Sequence, residues 1–370
     1  MSRLALISLP APEPWADVPH EAARLAAALE RTGGDDPRIY DRSLFDLQGL
    51  VSRAVDCAPD ALVLWLAAGA EAEFHDLCRP LRQALPHTPL LVVGPGVQPS
   101  SLVFHTPGLI DGAVVGAYVE VVVELARRGE APVEMPGVAM GREGAVVANP
   151  PAVPDDPDEW GLPAYHLVEI ERYDQLPSPG LVRRGLRRWT VPVDRRQNED
   201  IALELAHLAF EVKVTDVQLR GGAGLSAEAM ARLLESWVDE PHPAHLNWID
   251  PLSPAAWPEE NVGLFAGLGG YQLTLAVDEN NLPACRYVAR LCRDRAIIVR
   301  GVVQSDAPKR ALQVLDTADV DLGRIRSRAG KPAQADELAR RFYGWRRRWR
   351  LRKLKAGVAI KDLAETLFTA

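Results

Sequence analysis

The sequence predicts an α/β protein made of two strand–helix modules joined by a proline-rich segment. Three observations carry this. Short, continuously apolar runs alternate with amphipathic segments over residues 1–130. The same alternation returns over 187–320. Between them, residues 131–180 hold nine prolines. Apolar runs of four to six residues separated by helices predict parallel sheets covered on both faces.

The first module reads as follows. Leu4–Leu9 is an apolar strand that stops at Pro10. His20–Arg31 carries Ala and Leu at helical spacing and ends before Gly33 and Gly34. Arg38–Tyr40 is a second short strand, followed by Asp41. Leu47–Cys57 is a helix, and Ala61–Leu66 (ALVLWL) is a buried strand. Glu73–Leu85 is a helix, Leu90–Val93 a strand ending at Gly94-Pro95-Gly96, and Gly112–Val115 a strand before the helix Tyr118–Arg128. Ligands of such sheets bind at the carboxyl ends of the strands. That geometry marks Ser8, Leu9, Asp41, Ala68, Gly69, Gly94, Gly96, Val97, Gly116 and Tyr118 as candidate contacts.

Residues 131–180 read as an extended linker, because proline fixes φ and removes a donor. One small hairpin interrupts it, Val138–Met140 turning at residues 141–144 into Ala145–Val147. The second module starts at Trp189–Val193, a strand, followed by the helix Asn198–Phe210. Asp216–Leu219, His245–Ile249, Tyr271–Val277 and Ala296–Gln304 are further strands. Ala227–Trp237, Pro258–Leu268, Ala284–Asp294 and Ala307–Ala318 are the intervening helices. Five strand–helix units are too few for a closed eight-fold barrel and predict an open, partial one. The tail is helical in pattern and basic, with eight cations in the fifteen residues 341–355. The predicted organisation is therefore 1–130, 131–180, 181–325 and 326–370.

Bulk properties narrow the function. The chain has 370 residues, 47% of them hydrophobic, and a net charge of -8, which gives general nucleic-acid binding no support. No apolar run reaches the roughly 18–20 residues of a membrane span. The apolar start is too short for a signal peptide, so a cytoplasmic location is expected. The four cysteines are Cys57, Cys78, Cys285 and Cys292, and no two are closer than seven positions. That spacing gives no zinc-ribbon pattern and no single-loop thiolate cluster. All four read as small core residues of helices.

The linker carries a resemblance. Met135-Pro136-Gly137-Val138, the hairpin, Asn149-Pro150-Pro151, the acidic stretch Asp155-Asp156-Pro157-Asp158, Leu162-Pro163-Ala164-Tyr165-His166-Leu167 and Arg172-Tyr173 follow in order. This order resembles the linker of cobalamin-dependent radical S-adenosylmethionine (SAM) enzymes. Those proteins place a Rossmann-like cobalamin-binding domain first and a radical SAM barrel last. Pro59–Leu64 is similar to the family's third strand. Leu91–Gly96 stands where the family has a Gly-Gly-Pro turn, and Ile110–Glu120 where it has a strand and a Gly-Glu-x-x-Glu turn. Arg341-Phe342-Tyr343 and the following Arg/Leu run resemble its C-terminal helix. The resemblance spans nearly the whole chain. It implies cobalamin binding at the strand ends named above, with Glu120 added.

The departures matter as much. A radical SAM barrel opens with a CxxxCxxC loop holding a 4Fe–4S cluster, and residues 180–197 contain no cysteine. The family's Gly-Gly-Glu turn, whose acid binds the methionine amino group, is Gly221-Gly222-Ala223 here. The resemblance thus implies a degenerate relative with no 4Fe–4S cluster and no SAM cleavage. The lower-ligand signature Asp-x-His-x-x-Gly is missing from residues 1–130, where His20, His75, His87 and His105 lie in other settings. Many relatives lack it too, and either cobalamin binding or simple turn-shaping accounts for the strand-end glycines.

Other constellations have two readings each. His242 and His245 make an HxxH spacing with Pro241 before it and Pro243 inside it, either a metal pair or loop histidines. Asp250 and Asp278 close strands and serve either as paired acids or as helix caps. Arg183, Arg184, Arg187, Arg188, Arg195 and Arg196 form an arginine run, either a site for an anionic ligand, RNA or an acidic partner, or a solvated loop. The tail, with Phe342, Trp345 and Trp349 among its cations, suits its own barrel, a partner subunit or an anionic membrane surface. The expected function is a binding or scaffold subunit in a specialised biosynthetic pathway, paired with an active homologue or with itself, and presenting a small-molecule or peptide substrate. The rival expectation is a cobalamin-dependent methyl or group transferase working without radical chemistry.

Overall fold

The computed structural model describes residues 2–10, 18–32, 36–97, 108–142, 145–150, 152, 161–173, 188–194, 196–326 and 352. The chain divides into two units, Met1–Pro179 and Gly180–Ala370.

In the first unit the elements are β1 (Arg3–Leu9), α1 (His20–Arg31), β2 (Asp36–Asp41), α2 (Leu47–Cys57), β3 (Ala61–Leu66), α3 (Glu71–Ala84), β4 (Leu90–Val93), β5 (Gly112–Val114), α4 (Val119–Arg128), β6 (Val138–Arg142), β7 (Ala145–Ala148) and the one-turn α5 (Ile170–Tyr173). The sheet runs β2-β1-β3-β4-β5-β6-β7. β1 to β5 are parallel, and β6 and β7 are antiparallel. The chain moves one way from β1 to β2 and the other way from β2 to β3. Right-handed crossovers then place helices on both faces. α1 packs with α4, and α2 packs with α3. Period-two alternation divides the strands accordingly. Ala5, Ile7 and Leu9 join Leu62, Leu64, Leu66, Leu90 and Val92 under Leu50, Phe74, Leu77 and Leu81.

The proline-rich stretch packs onto this unit. Its hairpin extends the sheet through the pairing of Val114 with Val138. Ala164 N donates to Ala23 O at 2.9 Å, laying the Leu162–Leu167 motif on α1. Proline excludes these residues from a central strand and does not keep them from an edge or a surface strap.

The second unit contains β8 (Arg188–Pro192), α6 (Asn198–Phe210), β9 (Asp216–Arg220), α7 (Ala227–Glu235), β10 (His245–Trp248), α8 (Glu259–Gly267), β11 (Gly270–Ala276), α9 (Leu282–Asp294), β12 (Ile298–Gln304), α10 (Pro308–Thr317) and β13 (Leu322–Arg326). Its six strands are all parallel and lie in chain order, β13-β12-β11-β10-β9-β8. Every crossover moves in one direction, so right-handedness puts the helices on one face. Among the described residues the sheet is open, as the expectation of a partial barrel requires. Five strands were expected and six are present. The sixth, Leu-Gly-Arg-Ile-Arg, escapes a search for apolar runs because it is an edge strand with two arginines and a glycine. The core of this unit is aromatic. Trp248 and Trp257 meet edge to face at 5.7 Å, and Trp257 meets Phe265 at 5.3 Å.

Candidate functional site

The carboxyl edge of the first sheet contains a switch point between β1 and β3, where the direction of winding reverses. Open parallel sheets bind ligands in the crevice outside such a point. The backbone pairing of the two strands is kept to their ends, with Ala67 N donating to Leu9 O at 3.0 Å. Ser8 is buried there, and its carbonyl accepts from Arg42 N at 3.0 Å.

The candidate residues divide into three groups. Gly94 and Gly96 are committed to packing. A Cβ on Gly94, which has a φ of 107°, would stand 2.7 Å from Leu66 O, and one on Gly96 would stand 2.6 Å from Ala67 O. Gly96 N donates to Leu66 O at 2.9 Å and Val97 N to Gly94 O at 3.0 Å. The turn thus needs glycine because it wraps the end of β3. Asp41 is also committed. It is buried, it accepts from Ser43 N at 3.0 Å, and the Tyr173 hydroxyl donates to its other oxygen. Burial raises the Tyr173 phenol well above its ordinary range, and the adjacent Asp41 charge raises it further. The third group is open. Ala68, Gly69 and Gly116 are exposed, and a Cβ on Gly116 (φ 94°) would meet nothing within 4 Å. Glu120 is exposed on the first turn of α4.

Tyr118 leads to residues the sequence reading missed. Its hydroxyl donates to Glu21 at 3.1 Å, which ties the start of α4 to the start of α1. Glu21 is half-buried. Desolvation alone would raise its carboxyl, but the His20 hydrogen bond and charge, then Arg24 and Tyr118, outweigh it and hold it at about 2. Arg24 is buried, and its Nη2 has no hydrogen-bond partner among the described residues. The same is true of Trp65 Nε1 at the end of β3. A His-Glu pair opening a helix just after a strand-end loop was the only signal for this cluster in the sequence.

At the carboxyl edge of the second sheet, two carboxylates hold the Gly221-Gly222 turn. Asp250 accepts from Gly221 N at 2.9 Å and Asp194 from Gly222 N at 2.7 Å. Trp248 Nε1 donates to Gly221 O at 2.9 Å. A Cβ on Gly221 would stand 2.4 Å from Asp194 Oδ2, so these glycines have a packing reason of their own. Ala223 is exposed beyond them. Asp278 accepts from Asn280 N and Asn281 N at 2.7 and 3.0 Å, which makes it the loop cap before α9.

Arg196 corrects one reading. It is neither solvated nor open to an anion: its Nη1 donates to Glu204 at 2.5 Å, and the two side chains are 3% and 0% exposed. Arg183, Arg184, Arg187, Arg195 and the basic tail segment 341–350 lie outside the described residues. His245 sits at the amino end of β10, away from the carboxyl edge of the sheet, and His242 Nδ1 lies 3.1 Å from Pro243 O. Three of the four cysteines, Cys78, Cys285 and Cys292, are buried core residues of helices, whereas Cys57, the last residue of α2, is partly exposed, because the core face of that helix is carried by Leu50 and Ala54. Burial pushes Cys78 and Cys285 up to about 12 and Cys292 higher still, so these thiols stay protonated.

A cleft of about 870 Å³ opens at the carboxyl ends of β11, β12 and β13. Val277 and Val302 give it an apolar side. Asp278, Asp306, Arg310 and Arg326 give it a charged one. Arg310 Nη2 pairs with Glu279 at 2.6 Å on its rim.

No family model matches the sequence, and no curated protein matches it. Solved structures do resemble the fold. TsrM from Kitasatospora setae, a radical SAM methyltransferase solved with tryptophan substrate and a SAM analogue, has a TM-score of 0.66 and 16% identity, over 88% of this chain and 73% of that one. TsrM with cobalamin and a [4Fe-4S] cluster bound gives the same score at 18% identity, over 88% and 72% of the two chains. OxsB, a cobalamin-dependent SAM radical enzyme solved with aqua-cobalamin and SAM, scores 0.64 at 11% identity, over 95% of this chain and 56% of that one. Among the described residues no helix is long and apolar enough to cross a membrane. The fold of this chain is thus the one found in the cobalamin-dependent radical SAM enzymes.

Proposed function

We propose that the chain binds a corrinoid at the carboxyl edge of its first sheet and works as an accessory or scaffold subunit, without a 4Fe–4S cluster or SAM cleavage of its own. The observation that carries this reading is the β2-β1-β3-β4-β5 order, which sets an open edge at the switch point. The residues there fit a large amide-rich ligand. Gly116 offers backbone where an added Cβ would meet nothing within 4 Å, Ala68 and Gly69 are exposed, and two buried donors, Trp65 Nε1 and Arg24 Nη2, lack acceptors among the described residues. TsrM and OxsB have each been solved with cobalamin, which supports the choice of ligand. A bound corrinoid supplies group-transfer chemistry at its cobalt. The chain's part is to bind and orient it.

The turn between β8 and α6 supports the absence of a cluster. It is five residues long, 193–197, contains no cysteine and is closed by the Arg196–Glu204 pair and the Asp194–Gly222 bond. Iron needs thiolates of the right softness, and the chain's four cysteines lie in α2, α3 and α9. A chain without that chemistry would suit pairing with an active homologue in a biosynthetic pathway.

A second reading is favoured by the cleft at β11–β13. A roomy site at the carboxyl ends of parallel strands suits a small substrate, and cobalamin-dependent methyl or group transfer by this chain would use it.

The test is a UV–visible titration of the purified chain with hydroxocobalamin and methylcobalamin, followed by gel filtration. Co-elution with a spectral shift is expected. Corrinoid that separates from the protein on the column refutes the proposal. Anaerobic reconstitution with iron and sulfide is the companion test, and uptake with SAM cleavage would overturn the cluster-free part.

A further inference from the structure

We infer that the Trp65 indole N–H is a hydrogen-bond donor to the bound corrinoid, an inference that rests on the reading above. Trp65 is the second-last residue of β3, one of the two strands that flank the switch point. In register it lies between Ser8 of β1 and Val93 of β4. Its ring packs at the margin of the core cluster that holds Leu64 and Leu66. Its ring is only partly buried, yet its Nε1 is enclosed and has no acceptor among the described residues.

An indole nitrogen is a donor only, so nothing but an acceptor can satisfy it. The backbone beside it is the Gly94 turn, where a Cβ would come within 3.3 Å of Nε1. Glycine keeps that approach free of a side chain. Trp237 and Trp257 also have Nε1 atoms without partners among the described residues, but both side chains are fully buried in the second unit. Trp65 alone of these three sits at a strand end on the ligand edge. An unmet buried donor destabilises the ligand-free fold, and an oxygen acceptor on a ligand would relieve it.

Corrinoids offer such oxygens in two places, the amide carbonyls around the ring and the phosphate of the nucleotide tail. The experiment separates them by titrating wild type and Trp65→Phe with hydroxocobalamin and with cobinamide, which lacks the tail. Loss of one such bond weakens binding by about 5- to 10-fold. A loss with both ligands assigns a ring amide, and a loss with hydroxocobalamin alone assigns the tail. Equal affinities of wild type and variant, with wild type binding, overturn the Trp65 role and leave the corrinoid reading intact. Failure of wild type to bind removes both. Because the variant can also loosen the strand, a second readout is 15N-indole NMR of the wild-type chain. The resonance missing from Trp65→Phe is expected to move on ligand addition, and an unmoved resonance refutes the inference.

Discussion

The Arg196–Glu204 pair offers the sharpest test of the second unit. Both side chains are enclosed, at 3% and 0% exposure, and they meet at 2.5 Å between the β8–α6 turn and the middle of α6. Arg196 also reaches the Asp200 carbonyl at 3.3 Å. Arg196→Met removes the guanidinium that meets the buried Glu204 carboxylate. Breaking a buried pair from one side costs about 3–5 kcal/mol, most of it the desolvation of the abandoned charge. A unit of this size changes its melting temperature by about 2–4 °C per kcal/mol, so the expected drop is roughly 6–20 °C. Arg196→Met combined with Glu204→Leu removes both charges and is expected to recover most of that loss, because an apolar replacement of similar volume is close to neutral. Tryptophan fluorescence is weighted toward the second unit, where Trp189, Trp237, Trp248 and Trp257 are buried, and a Trp65→Phe background removes the described tryptophan of the first. A single-variant loss below about 1 kcal/mol, or a double variant no better than the single, would refute a buried, desolvated pair. It would also reopen the turn as a place for a ligand-binding loop.

Two further predictions concern the first unit. The Glu21 carboxyl is held at about 2 against an ordinary 4.5, so its contribution is complete above pH 4.5 and is lost as the pH falls toward 2. The difference in melting temperature between wild type and Glu21→Gln should therefore be largest above pH 4.5 and shrink toward pH 2; a difference that stays constant over that range contradicts the His20–Glu21–Tyr118 arrangement. Gly96→Ala would drive a methyl to 2.6 Å from Ala67 O and is expected to destabilise by about 1–3 kcal/mol in urea unfolding. A neutral Gly96→Ala would mean that the turn does not wrap the end of β3.

Much of the architecture was legible because it depends on short-range pattern. The ALVLWL run is apolar on both faces, which only a strand covered on both sides requires, and β3 has that environment. The open sheet of the second unit followed from counting strand–helix units. Its last strand did not, since Leu322–Arg326 gains its strand conformation from pairing with β12 and not from its own composition. At the site, the strand ends were found from topology. Their division into committed and open positions was not. Gly94 and Gly116 are alike in the sequence, and both adopt positive φ. One lies against a carbonyl of the neighbouring strand and the other faces open space.

The sequence by itself determined the alternation of elements, the cysteine-free β8–α6 turn and the alanine at position 223. These are properties of residue type and order, and no tertiary contact can change them. Only the tertiary structure decided what the polar residues do. Asp41 looked like a strand-end ligand and is the buried acceptor of Tyr173, 132 positions away. Arg196 looked like part of a basic loop and is half of a buried pair. Glu21 and Trp65 carried no motif and stand at the carboxyl edge of the first sheet. Charge and hydrogen-bonding groups act through their partners and their exposure to water. Both are set by which distant segments the fold brings together, and that is not written in the spacing of the residues themselves.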